Sequence, residues 1–136
     1  MRNITGHFIL PLLLIVLAIA ACGKDDNGTP PSNPSFKGDF VSGAHSTSGI
    51  ASIDSNAASL ILTNFKTDSG PDLNIYLAAS LSNVTADFVD LGDIKGRNGS
   101  YTYDLPAGKD YLHYKYVIVW CVDFDVNFGY AELIQQ

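Results

Sequence analysis

From Phe36 onward the chain is a succession of short apolar stretches separated, at intervals of roughly ten residues, by Gly, Pro, Asn, Asp and Ser. That rhythm admits few folds. A packed helix needs an apolar stripe sustained over ten residues or more, whereas short alternating stretches bounded by turn residues are the pattern of antiparallel strands. The spacing predicts strands at 40–45, 49–53, 58–65, 73–79, 88–94, 101–105, 116–122 and 128–134. Composition agrees: thirteen of the fourteen acids are Asp, Gly supplies twelve residues, and strong helix formers are scarce beside Val, Ile, Thr, Tyr and Phe. The expected class is all-β, a single antiparallel β-sandwich or flattened barrel of about eight short strands over residues 36–134, with no internal repeat.

Alternation also assigns faces. In 58–65, Leu60, Leu62 and Asn64 share one side and Ser59, Ile61 and Thr63 the other. In 73–79, Leu73, Ile75 and Leu77 face inward with Asn74 and Tyr76 outward, as in a half-buried strand. Segment 116–122, Tyr-Val-Ile-Val-Trp-Cys-Val, is apolar on both sides and reads as a central strand. On it Cys121 shares a face with Val117 and Val119, and Trp120 shares the other with Ile118 and Val122.

The first 35 residues are of another kind. Residues 8–21 form an uncharged run after Arg2, too short to span a bilayer core of about 30 Å as a helix. It reads as the apolar region of a signal peptide, residues 1–21. Its end, Leu17-Ala18-Ile19-Ala20-Ala21-Cys22, looks like a lipobox, with Cys22 becoming the lipidated N-terminus. An ordinary secretory signal with an incidental Cys22 is the plain alternative. Residues 22–35, rich in Asn, Gly, Thr, Pro and Ser, make a flexible tether that reaches about 50 Å when extended. Lys24-Asp25-Asp26 resembles the export signal of surface-displayed lipoproteins, and equally suits a solvated charge cluster. The expected address is an outer membrane lipoprotein, periplasmic or surface-exposed, attached to the membrane through lipid on Cys22.

Charge excludes one class of partner. The chain carries a formal −6, and −7 once Arg2 leaves with the signal peptide, with no Lys/Arg cluster, so no nucleic-acid partner is expected.

Chemistry rests on few residues. After lipidation Cys121 is the one remaining cysteine and has no disulfide partner. It is either a buried small hydrophobe or a working thiol or metal-type ligand. Asp123 and Asp125 just beyond it imply that solvent begins there, so a reachable thiol is expected; their charge favours a ligand role over a bare nucleophile. His45 and His113 are the mature histidines; their wide spacing lacks the pairing of zinc ligands, and His113, among tyrosines, suits the surface. Asp123, Asp125 and Asn127 resemble the opening of a calcium loop, but Phe128 stands where the sixth-position Gly belongs and Ile134 where the twelfth-position Glu belongs. No metal site is therefore assigned. Gly92, Gly96 and Gly99 lack phosphate-loop spacing, and no Ser/His/Asp triad assembles.

Several separated motifs together resemble one family. Gly38-Asp39-Phe40 with His45 and Ser48-Gly49, then Leu60 to Phe65, Ser69-Gly70-Pro71-Asp72-Leu73 to Leu77, Gly99 to Pro106, and Val117-Ile118-Val119-Trp120-Cys121 through Phe128-Gly129-Tyr130-Ala131 look like the DM-thirteen domain. The resemblance covers nearly the whole domain. It implies a β-rich extracellular module acting in electron transfer, often beside DOMON domains, with Cys121 as a bare thiol or as ligand to a prosthetic group such as haem, and His45 as the histidine partner. No haem-binding neighbour domain is expected beside it, and the cofactor is otherwise unspecified. Trp120, Tyr76, Tyr101 and Tyr103 are candidates to flank the thiol. An electron-transfer or binding module is expected rather than a stand-alone enzyme, with an unknown redox or surface protein as partner. The alternative is a non-enzymatic surface module for glycan or protein in which Cys121 is structural.

Overall fold

The computed structural model describes residues 35–136. The signal peptide expected at 1–21, the lipidation expected at Cys22 and the tether expected at 22–35, apart from Ser35, lie outside the described residues. The domain consists of β1 (Phe36–Ser42), β2 (Thr47–Ile53), β3 (Ser59–Thr67), β4 (Leu73–Ala78), a 3-10 turn (Val84–Ala86), β5 (Phe88–Asp93), β6 (Asn98–Asp104), β7 (Tyr116–Cys121), β8 (Val126–Glu132) and β9 (Ile134–Gln135). Among the described residues there is no α-helix, and the fold is the all-β class that the alternation predicts. The ninth strand is the two-residue β9, which pairs with the start of β1.

All pairings are antiparallel, in the order β5-β4-β7-β8-β1-β2-β3-β6, giving a nearly closed, barrel-like sheet. Strand β1 joins the two halves. Its first part, Phe36 to Asp39, pairs with β2, and its second part, Phe40 to Ser42, pairs with β8. The side chains pointing inward from both halves form one core that includes Phe40, Ile53, Leu60, Leu62, Phe65, Ile75, Leu77, Val117 and Val119. Each large apolar side chain enclosed this way contributes roughly 1.5–3 kcal/mol.

Two face assignments change. In β3 the chain bulges between Leu62 and Phe65, with Asn64 in the left-handed region at φ 50°. The bulge inserts one residue, so the buried set passes from Leu60 and Leu62 to Phe65 and Thr67, and Asn64 lies in solvent rather than on the apolar face. In β4 all six residues are buried, not every second one. The outer face of β4 and β7 is covered by the 79–87 connection, whose Val84 and Leu81 pack with Tyr76, Ala78, Ile118 and Trp120 into a second cluster. Strand β7 lies between β4 and β8 and is buried on both faces, as its apolar run predicts.

Candidate functional site

Three of the segments that carry the resemblance, around Gly70–Leu73, Trp120–Cys121 and Phe128–Gly129, meet where β7 ends. Cys121, its last residue, pairs with Leu73 at the start of β4 and with Val126 at the start of β8. The chain before β4 folds over it. Asp72, at φ 46°, accepts the Val122 N–H at 2.9 Å through its carbonyl, which holds the Gly70–Leu73 segment against the strand end. The Cys121 thiol donates to the Pro71 carbonyl at 3.0 Å and has 0% exposure. The sequence reading expected a reachable thiol. The aspartates beyond it do enter solvent, but the Gly70–Leu73 segment, distant in sequence, closes over the sulfur.

Phe128 links this cap to the second candidate. Its ring packs so closely on Gly70 that a β-carbon there would stand 2.6 Å from Cζ. The same ring lies 3.9 Å, centre to centre, from the imidazole of His45, tilted by 31°. His45 sits in the bend between β1 and β2, its side chain 44% exposed and its Nδ1 3.6 Å from an Asp68 carboxylate oxygen. Backbone hydrogen bonds tie this bend to β8: the Gly43 and His45 N–H groups both donate to the Phe128 carbonyl. Cys121 and His45 thus both neighbour elements that hold Phe128, yet no hydrogen bond or ion pair among the described residues joins them.

Beneath the bend lies a polar pair that no spacing rule singles out. Thr47, buried, hydrogen-bonds to the Thr67 hydroxyl at 3.1 Å and donates to the Phe128 carbonyl at 3.2 Å. Gly129 makes room for it, since a β-carbon at that position would overlap the Thr47 side chain. Sequence could have flagged this site only through Phe-Gly-x-Ala, whose Gly admits Thr47 and whose Ala131 is fully buried against the core.

Residues 39–133 match the family model described as Electron transfer DM13. The chain belongs to the DM13 family. Searches of the curated proteins and of the solved structures find no match. In this DM13 domain, Gly-Pro-Asp-Leu forms the cap over the thiol, Trp-Cys supplies it, and Phe-Gly-x-Ala supplies the ring that bears on the cap.

The aromatic set divides between the two faces. Tyr103 lies in the main core with Cys121, and Tyr101 packs against that core from β6. Trp120 and Tyr76 lie in the second cluster, across the sheet from the thiol. Burial, followed by Asp90, Asp72 and Asp125, raises the Tyr76 phenol above its ordinary value, so it stays protonated across the physiological range.

A haem or metal ligand must turn its donor atom toward open space, and the DM13 thiol does not. The sulfur is enclosed and hydrogen-bonded to Pro71, and His45 is half-exposed and paired with Asp68. Among the described residues, no group of three His, Cys, Asp or Glu side chains is placed to hold a metal ion. The residues as folded therefore do not fit a macrocycle bound through Cys121. What the arrangement provides is a single shielded thiol under a short cap.

Proposed function

We propose that this protein is an extracytoplasmic electron-transfer module, anchored to the outer membrane through lipid on Cys22, whose redox group is the bare thiol of Cys121. The supporting observation is convergence: three of the motifs that carry the resemblance, far apart in the chain, supply the thiol, the carbonyl that accepts its hydrogen bond and the ring behind the cap. Enclosure suits a redox thiol, because it shields the sulfur from the irreversible oxidation that threatens an exposed free cysteine outside the cytoplasm. Access then depends on local opening of the Gly70–Leu73 segment, where the Cys121 thiol, losing its proton to solvent, would attack a partner protein's disulfide to form a mixed disulfide and release the partner's other sulfur as a thiolate, so that Cys121 is oxidised as the partner disulfide is reduced. Membrane attachment rests on Ile19-Ala20-Ala21-Cys22.

Exchange with a small disulfide tests the redox assignment: the wild type is expected to gain one mixed disulfide by mass, reversed by dithiothreitol, that Cys121→Ser lacks. No adduct in either variant, or equal adducts, would remove Cys121 from the mechanism. Haemin titration tests ligation independently; a Soret shift lost in both Cys121→Ser and His45→Ala would replace the thiol with a haem ligand. Membrane attachment has its own readout: Cys22→Ser is expected to remain unprocessed and to leave the membrane fraction.

A further inference from the structure

The hairpin turn that follows Cys121 carries an exposed apolar tip beside the cap over the thiol. Phe124, at 70% exposure, is the most exposed large apolar side chain among the described residues, and Val122 is 37% exposed. Tight turns favour Asp at positions such as 123 and 125, the latter at φ 51°, but nothing in turn chemistry asks for a phenylalanine between them. Single apolar residues on a surface are ordinary; this pair is set apart by its position. The Val122 N–H donates to the Asp72 carbonyl at 2.9 Å, and the adjoining Pro71 carbonyl accepts the Cys121 thiol. The apolar tip and the cap on the sulfur are therefore one joined surface.

The rim of this surface is acidic. Asp72 stands on the cap, Asp123 and Asp125 flank Phe124 in the chain, and all three are exposed. The ion pairs among the described residues engage none of them. Across the cap, Arg97 lies in a groove lined also by Asp72 and Asp93, so on that flank two carboxylates face one guanidinium. On the opposite flank the His45 imidazole is already paired with Asp68. The field around the cap is negative on balance, in a chain whose formal charge is −6. Anionic lipid, nucleic acid and acidic proteins are repelled from such a surface, and a basic one is drawn to it.

We propose that this surface docks the partner whose disulfide Cys121 reduces, and that the partner is a protein with an apolar pocket, rimmed by Lys and Arg, beside that disulfide. The inference rests on the redox reading of Cys121 and adds the chemistry of the partner to it. Phe124 and Val122 enter the pocket, and the basic rim pairs with Asp72, Asp123 and Asp125. Because the Val122 N–H is bonded to the cap itself, docking on the hairpin brings the disulfide to the segment that must open. Charge complementarity of this kind speeds encounter and rejects partners of the wrong sign.

Two peptides with blocked ends, Lys-Leu-Cys-Leu-Lys and Glu-Leu-Cys-Leu-Glu, each with its cysteine activated as the neutral 2-thiopyridyl disulfide, serve as probes. Attack by the Cys121 sulfur forms the protein–peptide disulfide and breaks the peptide–thiopyridyl bond; the pyridine thiolate leaves with the electron pair, takes a proton from solvent, and its absorbance gives the rate. The full chain is used in a neutral detergent at low ionic strength, at peptide concentrations to which the rate is proportional, with Cys121→Ser as the blank. Both peptides meet the same thiol beneath the same cap, so the ratio of their rates is independent of how often the cap opens. The cationic peptide is expected to react at least about tenfold faster than the anionic one. That ratio is expected to fall below about threefold at high salt and in the triple variant Asp72→Asn, Asp123→Asn and Asp125→Asn. Asparagine accepts the left-handed backbone held at 72 and 125, so these substitutions keep the fold. Asp104→Asn, at the opposite end of the sheet where β6 pairs with the start of β3, is expected to keep the wild-type ratio. Phe124→Ser is expected to slow both peptides alike, by about threefold or more, through loss of the apolar contact. A wild-type ratio near one, a ratio that survives the triple substitution, or unchanged rates in Phe124→Ser would each overturn the docking surface and leave the redox thiol standing. No reaction of Cys121 with either peptide would overturn the redox thiol itself, and this role of the surface with it.

Discussion

Gly129 and Thr47 fit together so closely that no side chain can be added at Gly129 without displacing Thr47. Thr47 is β-branched, buried and held by two hydrogen bonds, so it has no alternative rotamer in which to make room. Gly129→Ala is expected to destabilise the domain by about 1–3 kcal/mol, measured as a lower urea midpoint at unchanged slope. Asn64 is a contrasting case, because its constraint is backbone rather than space. It holds φ 50° at the β3 bulge. Asn64→Val should cost about 1–2 kcal/mol and Asn64→Gly close to nothing, a difference that equilibrium unfolding resolves. For Cys121 the residue-scale expectation is kinetic. With 0% exposure, its native alkylation should be at least about a hundredfold slower than in denaturant, at a rate set by local opening of the cap. Equal rates would mean that the cap does not close.

At the scale of elements, the connection that covers β4 and β7 is secured by a clamp on the surface. Asp87, just before β5, takes a hydrogen bond from His113 at 2.6 Å and another from the Tyr114 hydroxyl at 2.8 Å, tying the 79–87 connection to the 105–115 loop. The hydrogen bond from His113, then that from Tyr114, holds the Asp87 carboxyl below its ordinary value of 3.8, and the same contact raises the Tyr114 phenol. Because the folded state favours the carboxylate, the clamp's contribution is complete above the unfolded value and is lost as pH falls through the lower folded value. Thermal melts should therefore show a fall in midpoint below about pH 4 that is shallower in Asp87→Asn, which starts lower at neutral pH. A wild-type midpoint that is flat through this range would rule the clamp out. Since Asp87 and His113 are exposed and Tyr114 is only partly buried, the effect is also expected to weaken with salt.

For the whole molecule, one sheet closes nearly on itself through β1, the strand common to both halves. Such a sheet is built from contacts between distant parts of the chain: β1 with β8, and β4 with β7. Closing those loops before the pairings repay the entropy makes folding slow. Residues 35–136 are expected to refold alone in milliseconds to seconds, with a circular dichroism spectrum free of helical bands. A helical spectrum, or failure to fold without residues 1–34, would contradict this.

Sequence alone was sufficient for the class of fold, because side-chain alternation is a local property and each short stretch declares its own strand. It also placed Cys121 with Val117 and Val119, and Trp120 with Ile118, since the two-residue period along β7 is unbroken to its end. The bulge at Asn64 was not legible: a left-handed residue inside a strand depends on what the partner strand demands, and Asn is compatible with either conformation. Nor was the outer burial of β4, which depends on a connection packing over a face that alternation assigns to solvent. The thiol shows the division most clearly. Charged residues two and four positions further along pointed to solvent, and a segment fifty residues earlier in the chain took the solvent's place, because burial is decided by whatever packs across the sheet and not by sequence neighbours.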